Sequence, residues 1–111
     1  MTVITKPLLE AKLLENAQTT QYTASNVTAT IDKCTITNIS GAAVTLAVNL
    51  VASGGSASTT NLFISGRSLQ ANETYLCPEL IGQVLRTGDF ISTLAGTASA
   101  LSCRISGREI S

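Results

Sequence analysis

Three cysteines, seven carboxylates and no histidine bound the chemistry this chain could carry. Without His, the commonest general base and a usual metal ligand are missing. A cysteine nucleophile needs a base beside it, and Cys34 and Cys103 alternate with the apolar positions of their segments, so both read as core thiols. Cys77 stands before Pro78 at the start of a helix-like segment, where a thiolate could be stabilised; a structural role is the expected one. An odd cysteine count with no C-x-x-C argues against a disulfide framework and against zinc. Two of the three could still pair, but buried free thiols in a reducing cytosol are the expectation. Glu10, Glu15, Asp32, Glu73, Glu79, Asp89 and Glu109 are scattered, and no two are placed by spacing for acid–base work. The run SGGS at Ser53–Ser56 lacks the helix and lysine that follow a phosphate-binding loop. No catalytic, cofactor-binding or metal-ligating residue is assigned, and the expectation is a protein that is not an enzyme and needs no cofactor.

The remaining polar features point to contact surfaces. Asn26, Asn38 and Asn72 each open an N-x-[ST] sequon, which chance supplies in a Ser/Thr-rich chain. Tyr22, Tyr75, Phe63 and Phe90 are too few to stack single-stranded nucleic acid, and core packing with hydrogen-bonded tyrosine edges is the simpler reading. Arg67, Arg104 and Arg108 could form a polar contact surface, since Arg is enriched at interfaces; a solvated face is the alternative.

At 111 residues, with 44% apolar side chains, the chain suits one domain with a hydrophobic core. Charged residues reach only 13%, with seven basic balanced by seven acidic. That balance predicts neither nucleic acid nor an acidic membrane as partner. A surface so poor in charge suits a protein covered by others. Met1–Lys6 lacks a basic start followed by a long apolar core, and the apolar stretch Ala42–Ala52 is too short to span a bilayer, so synthesis and residence in the cytosol are expected.

The elements that must position these residues read as strands. Val27, Ala29 and Ile31 alternate with Thr28, Thr30 and Asp32, after which Cys34 and Ile36 take over the apolar phase; a bulge near Asp32–Lys33 reconciles the two halves. Val44, Leu46, Val48 and Leu50 alternate with Thr45, Ala47 and Asn49, and with the turn Asn38–Ala42 the two segments are expected to form a hairpin. Ala52–Asn61 is expected to be a flexible loop, with strands over Leu62–Leu69, Thr74–Cys77, Phe90–Ala95 and Ala100–Ile110. Pro78–Leu85 has helical spacing, with Pro78 suited to the first position and Glu79 to the helix N-terminus, and predicts a two-turn helix. Residues 1–20 are expected to be an N-terminal arm ordered on a partner, or a short helix at Leu8–Asn16, ahead of one domain over 21–111. Short strands without βαβ alternation imply an all-β, antiparallel β-sandwich.

The runs Thr23–Val51, Arg67–Leu85 and Gly88–Ile110 (GDFISTLAGTASALSCRISGREI) resemble the staple, or decoration, proteins of epsilon-15-like short-tailed bacteriophages. That resemblance implies a jelly-roll-like sandwich on the exterior of an icosahedral virion shell. It implies a homodimer near two-fold axes, tying neighbouring major capsid proteins together against internal pressure, with no catalytic residue to carry over. An extended Met1–Leu14 arm could then add a strand to a partner's sheet edge, with Val3, Ile4, Leu8 and Leu9 as its contact residues, and its deletion would leave a folded domain. Together with Arg67, Arg104 and Arg108 these form the expected partner-binding set. Two alternatives stay open. One is another virion part, such as a neck, tail or fibre subunit. The other is a carbohydrate-binding sandwich module, against which the absence of Trp counts.

Overall fold

The β-branched and hydroxyl-rich segments form antiparallel strands as expected: the computed structural model, which describes all residues from Met1 to Ser111, contains nine strands and no α-helix. They are β1 (Val3–Leu13), β2 (Thr19–Thr23), β3 (Thr28–Asn38), β4 (Val44–Val51), β5 (Leu62–Leu69), β6 (Thr74–Tyr75), β7 (Val84–Leu85), β8 (Phe90–Ala95) and β9 (Leu101–Ile110). One sheet has the order β1-β9-β3-β6, with β7 also on β3; the other runs β2-β8-β4-β5. Every pairing is antiparallel.

The pairs nest inward along the chain. First pairs with last (β1 with β9), then β2 with β8, β3 with β6 and β7, and β4 with β5. Such a nested ribbon, rolled so that β9 meets β3 and β8 meets β4, is the jelly-roll arrangement of two packed sheets. The inward rows form one core, with Ile31, Cys34 and Ile36 of β3 facing Val44, Leu46 and Val48 of β4 across the sandwich and Leu101, Cys103 and Ile105 of β9 completing the first sheet.

Strand phase follows the sequence closely. The register of β3 slips between Ile31 and Lys33, where the apolar phase changes, and Asp32 and Lys33 both face solvent. In β5, three residues span the distance that two span in β4, and Gly66 supplies the left-handed backbone (φ +59°) that absorbs the extra residue.

Three expectations are corrected. Residues 1–20 are neither a free arm nor a helix: β1 lies along β9 from Val3 to Leu13, and Leu8, Leu9 and Leu14 are buried in the shared core. Burial of three leucines outweighs the modest helix preference of the segment. Pro7 is tolerated because β1 is an edge strand, and the register shift after it lets the consecutive residues Leu8 and Leu9 both reach the interior.

β3 and β4 do not form a hairpin either. They belong to different sheets, and Asn38–Ala43 carries the chain across the sandwich. Period-2 alternation shows that each strand has one apolar face, and two such faces bury equally well when opposed across a core as when aligned in a sheet.

Pro78–Leu85 is not a helix. It is a pair of turns held by three-residue bonds (Leu80 N to Cys77 O, 3.0 Å; Gln83 N to Leu80 O, 3.2 Å) that end in β7. Gly82 N donates to Ile31 O (2.7 Å) and Ile31 N to Gln83 O (3.0 Å), so the edge of β3 takes the backbone groups a helix would have kept for itself. The one short helical element is a 3₁₀ turn at Thr59–Asn61.

Ala52–Asn61 is the expected exposed loop, and its end is tied to the second sheet. Asn49 Nδ2 donates to Ser58 O (3.0 Å) and to Asn61 Oδ1 (2.7 Å), and the Asn49 side chain is buried beneath the loop.

Candidate functional site

The three thiols converge in the core. Cys34 and Cys103 are diagonal neighbours on β3 and β9, Cys77 enters from the turn after β6, and all three are free and buried. Thiol–thiol contact with Cys103 and then Cys77, followed by burial, pushes the Cys34 pKa upward. A raised pKa disfavours the Cys34 thiolate, and all three buried thiols pack within the apolar core. Asn38 is also spent internally: its amide donates to Ala42 O (2.8 Å) and Leu69 O (2.9 Å) and accepts from Ser40 N (2.9 Å). With its side chain fully buried, its sequon offers no acceptor in the folded chain.

The side chains expected to meet partners separate into distinct places. Val3 and Ile4 are half-exposed near the start of β1, whereas Leu8 and Leu9 are core. Arg67 on β5 stacks 4.0 Å over the Tyr75 ring on β6, a cation–π clasp across one seam of the sandwich. Tyr75 Oη donates to the Glu79 carboxylate (2.6 Å to Oε2); burial and then this bond push the tyrosine up to about 12, while the same bond holds Glu79 below the usual carboxylate range. Arg108 forks onto Asp32, with Nε donating to both oxygens (3.2 and 3.0 Å) and Nη2 to Oδ1 (3.0 Å). Arg104 stands on the outer face of β9 and makes no ion pair. The structure therefore does not gather the three arginines into one surface.

Two surface features stand out. Beside the Arg67–Tyr75 clasp, Phe63 of β5 and Val84 of β7 are exposed along the seam between the two sheets, and Leu76 and Ile81 are exposed in the segment that joins β6 to β7. Phe63 and Val84 line a hollow of about 200 Å³ floored by Leu50, Val51 and Leu85. On the outer face of the first sheet, a shallow cleft of about 360 Å³ is lined by Lys33, Thr35 and Thr37 of β3 and by Ser102, Arg104 and Ser106 of β9. Sequence reasoning missed the seam because Leu76, Ile81 and Val84 were assigned to a strand end and a helix; the exposure follows from the turns that replace it. It also missed Lys33, although the phase change at Asp32–Lys33 was the signal that would have turned this residue outward.

No group of three or more Cys, Asp or Glu side chains is placed to hold a metal ion. Comparison with protein-family models, with curated proteins and with solved structures found no match to this chain.

Proposed function

We propose that this protein is a virion structural subunit that decorates the outside of an icosahedral phage shell and ties neighbouring major capsid proteins together. The observation that carries the reading is the uncovered apolar seam flanked by the open backbone edge of β5. Exposed large apolar side chains beside an unpaired strand edge mark a surface that another protein covers. The sequence resemblance supplies the partner: the chain that resembles capsid staples folds as a jelly roll, an architecture that virion proteins use widely. Repetition of a modest contact around a shell gives a small domain a firm hold through effective concentration.

The experiment is cryo-electron microscopy of the particle from the source phage, with its proteins identified by mass spectrometry, alongside co-sedimentation of the purified chain with shells stripped of it. Sandwich density repeated at sites that bridge shell subunits, with co-sedimentation that saturates, supports the proposal. A chain found only at the tail vertex would make it a neck, tail or fibre component, and absence from the particle would make it a binding module of another kind.

A further inference from the structure

The chain is neutral overall, yet its charges are deployed unequally. Six of the seven carboxylates are occupied by internal bonds: Glu15 with Lys12 and Gln21, Asp32 with Arg108, Glu73 with Gln70 N, Glu79 with Tyr75, Asp89 with Ser53 N and Arg86 N, and Glu109 with Tyr22. Lys33 and Arg104 have no such partner within ion-pair distance. Asp32, the acid next to Lys33 in sequence, is already held by Arg108. Glu10, in the bulge of β1 opposite Arg104, makes no ion pair with it.

The register places these two cations together, whereas Arg67, stacked on Tyr75, and Arg86, which also makes no ion pair, lie elsewhere. Lys33 pairs with Ser106 and Thr35 with Arg104, so Lys33 and Arg104 are diagonal neighbours on the outer face of the first sheet. Diagonal neighbours lie roughly 7–8 Å apart, so these two like-charged side chains share one region of the sheet face and do not stabilise each other. Between and beside them stand the hydroxyls of Thr35 and Ser106, which can both donate and accept, and that of Ser102, which donates to Thr37 O (3.5 Å) and can still accept, within one shallow cleft.

We infer that this cleft binds an extended acidic segment of a partner protein, with two carboxylates at alternate positions engaging Lys33 and Arg104. On one face of an extended chain, residues i and i+2 are roughly 6.8 Å apart, which matches the diagonal of the two cations. The hydroxyls then serve the segment's main chain. A polyanion such as duplex DNA would need a longer run of cations than two, and the rest of the chain is net acidic once these two of its seven basic residues are set against its seven acidic ones. The inference deepens the proposed role as a protein-binding subunit and rests on that reading for its partner class.

The test uses the full chain and a short peptide carrying glutamates at alternate positions, with its glutamine counterpart as control, titrated by NMR. Peptide-dependent shifts confined to β3 and β9 are expected, absent with the glutamine peptide. Lys33→Gln and Arg104→Gln should each weaken binding about tenfold, the scale of one charge-assisted hydrogen bond. Arg86→Gln, which alters an exposed cation elsewhere, should change nothing. Binding that is absent, shared by the glutamine peptide or indifferent to both variants overturns the inference, as does tighter binding of duplex DNA through the same two residues. Co-sedimentation of the wild-type chain with shells answers the functional reading separately. If it decorates shells but ignores the peptide, only the cleft inference fails; if it binds the peptide but not shells, only the capsid role does.

Discussion

The Tyr22 hydroxyl on β2 donates to Glu109 Oε2 on β9 at 2.5 Å, and this single bond joins the two sheets through residues 87 apart in sequence. Glu109 also pairs with Lys6 of β1 at 3.4 Å, so three strands from both ends of the chain share one carboxylate. Burial and then the bond to Glu109 raise the Tyr22 pKa, keeping the phenol a donor throughout the neutral range. Removing the hydroxyl leaves a half-buried carboxylate short of a partner. Tyr22→Phe should therefore lower unfolding free energy by about 1–2 kcal/mol, read as a shift in urea midpoint at unchanged slope. A double-mutant cycle with Glu109→Gln should show non-additivity; strictly additive losses would mean that the bond contributes nothing of its own.

Deletion of Met1–Leu14 should unfold the protein. The segment carries Leu8, Leu9 and Leu14 into the core and covers one edge of β9. At about 1.5–3 kcal/mol per buried leucine, the loss approaches the whole stability of a small domain. Circular dichroism and amide exchange of the truncated chain check this; a cooperative native-like melt would show that the remaining eight strands suffice.

Asn38→Ala should cost about 2–3 kcal/mol, because it strands Ser40 N and Leu69 O at the point where the chain crosses between sheets. Asn38→Asp should be worse. It replaces the donor facing the Ala42 and Leu69 carbonyls with a second acceptor. Thermal melts of the two variants, side by side, give the order.

Acid should weaken the closure between β1 and β2. Bonds from Lys12 (2.7 Å) and Gln21 (2.9 Å) hold Glu15 down to about 2, below its ordinary 4.5. A carboxylate with a depressed folded-state pKa contributes stability that is present above the unfolded value and lost as pH falls through the folded one. The contribution should thus fade between about pH 4.5 and pH 2, and only modestly, since the pair is partly exposed. Urea midpoints across that range should fall more steeply for wild type than for Glu15→Gln. Direct titration should place Glu15 nearer the usual carboxylate range in Lys12→Met.

By itself the sequence determined β3, β4, β8 and β9 and their inner faces, though not β1 or β7. Alternation at Val44, Leu46 and Val48, and the phase change at Asp32–Lys33, are local patterns, and local sterics and burial enforce them wherever the strands end up. It also determined that the three cysteines lie inside, because they occupy positions in apolar rows or beside them. What only the tertiary structure decided is which strand meets which. Whether β3 turns back on itself or crosses to the other sheet depends on pairings such as β1 with β9, made between the two ends of the chain, and no local pattern encodes them. The same holds for Leu8 and Leu9, which look like a helix or an arm until β9 is there to pair with, and for Pro78–Leu85, whose backbone groups go to the edge of β3. The cleft over Lys33 and Arg104 is likewise a product of register: residues 71 positions apart become neighbours only once β3 and β9 are aligned.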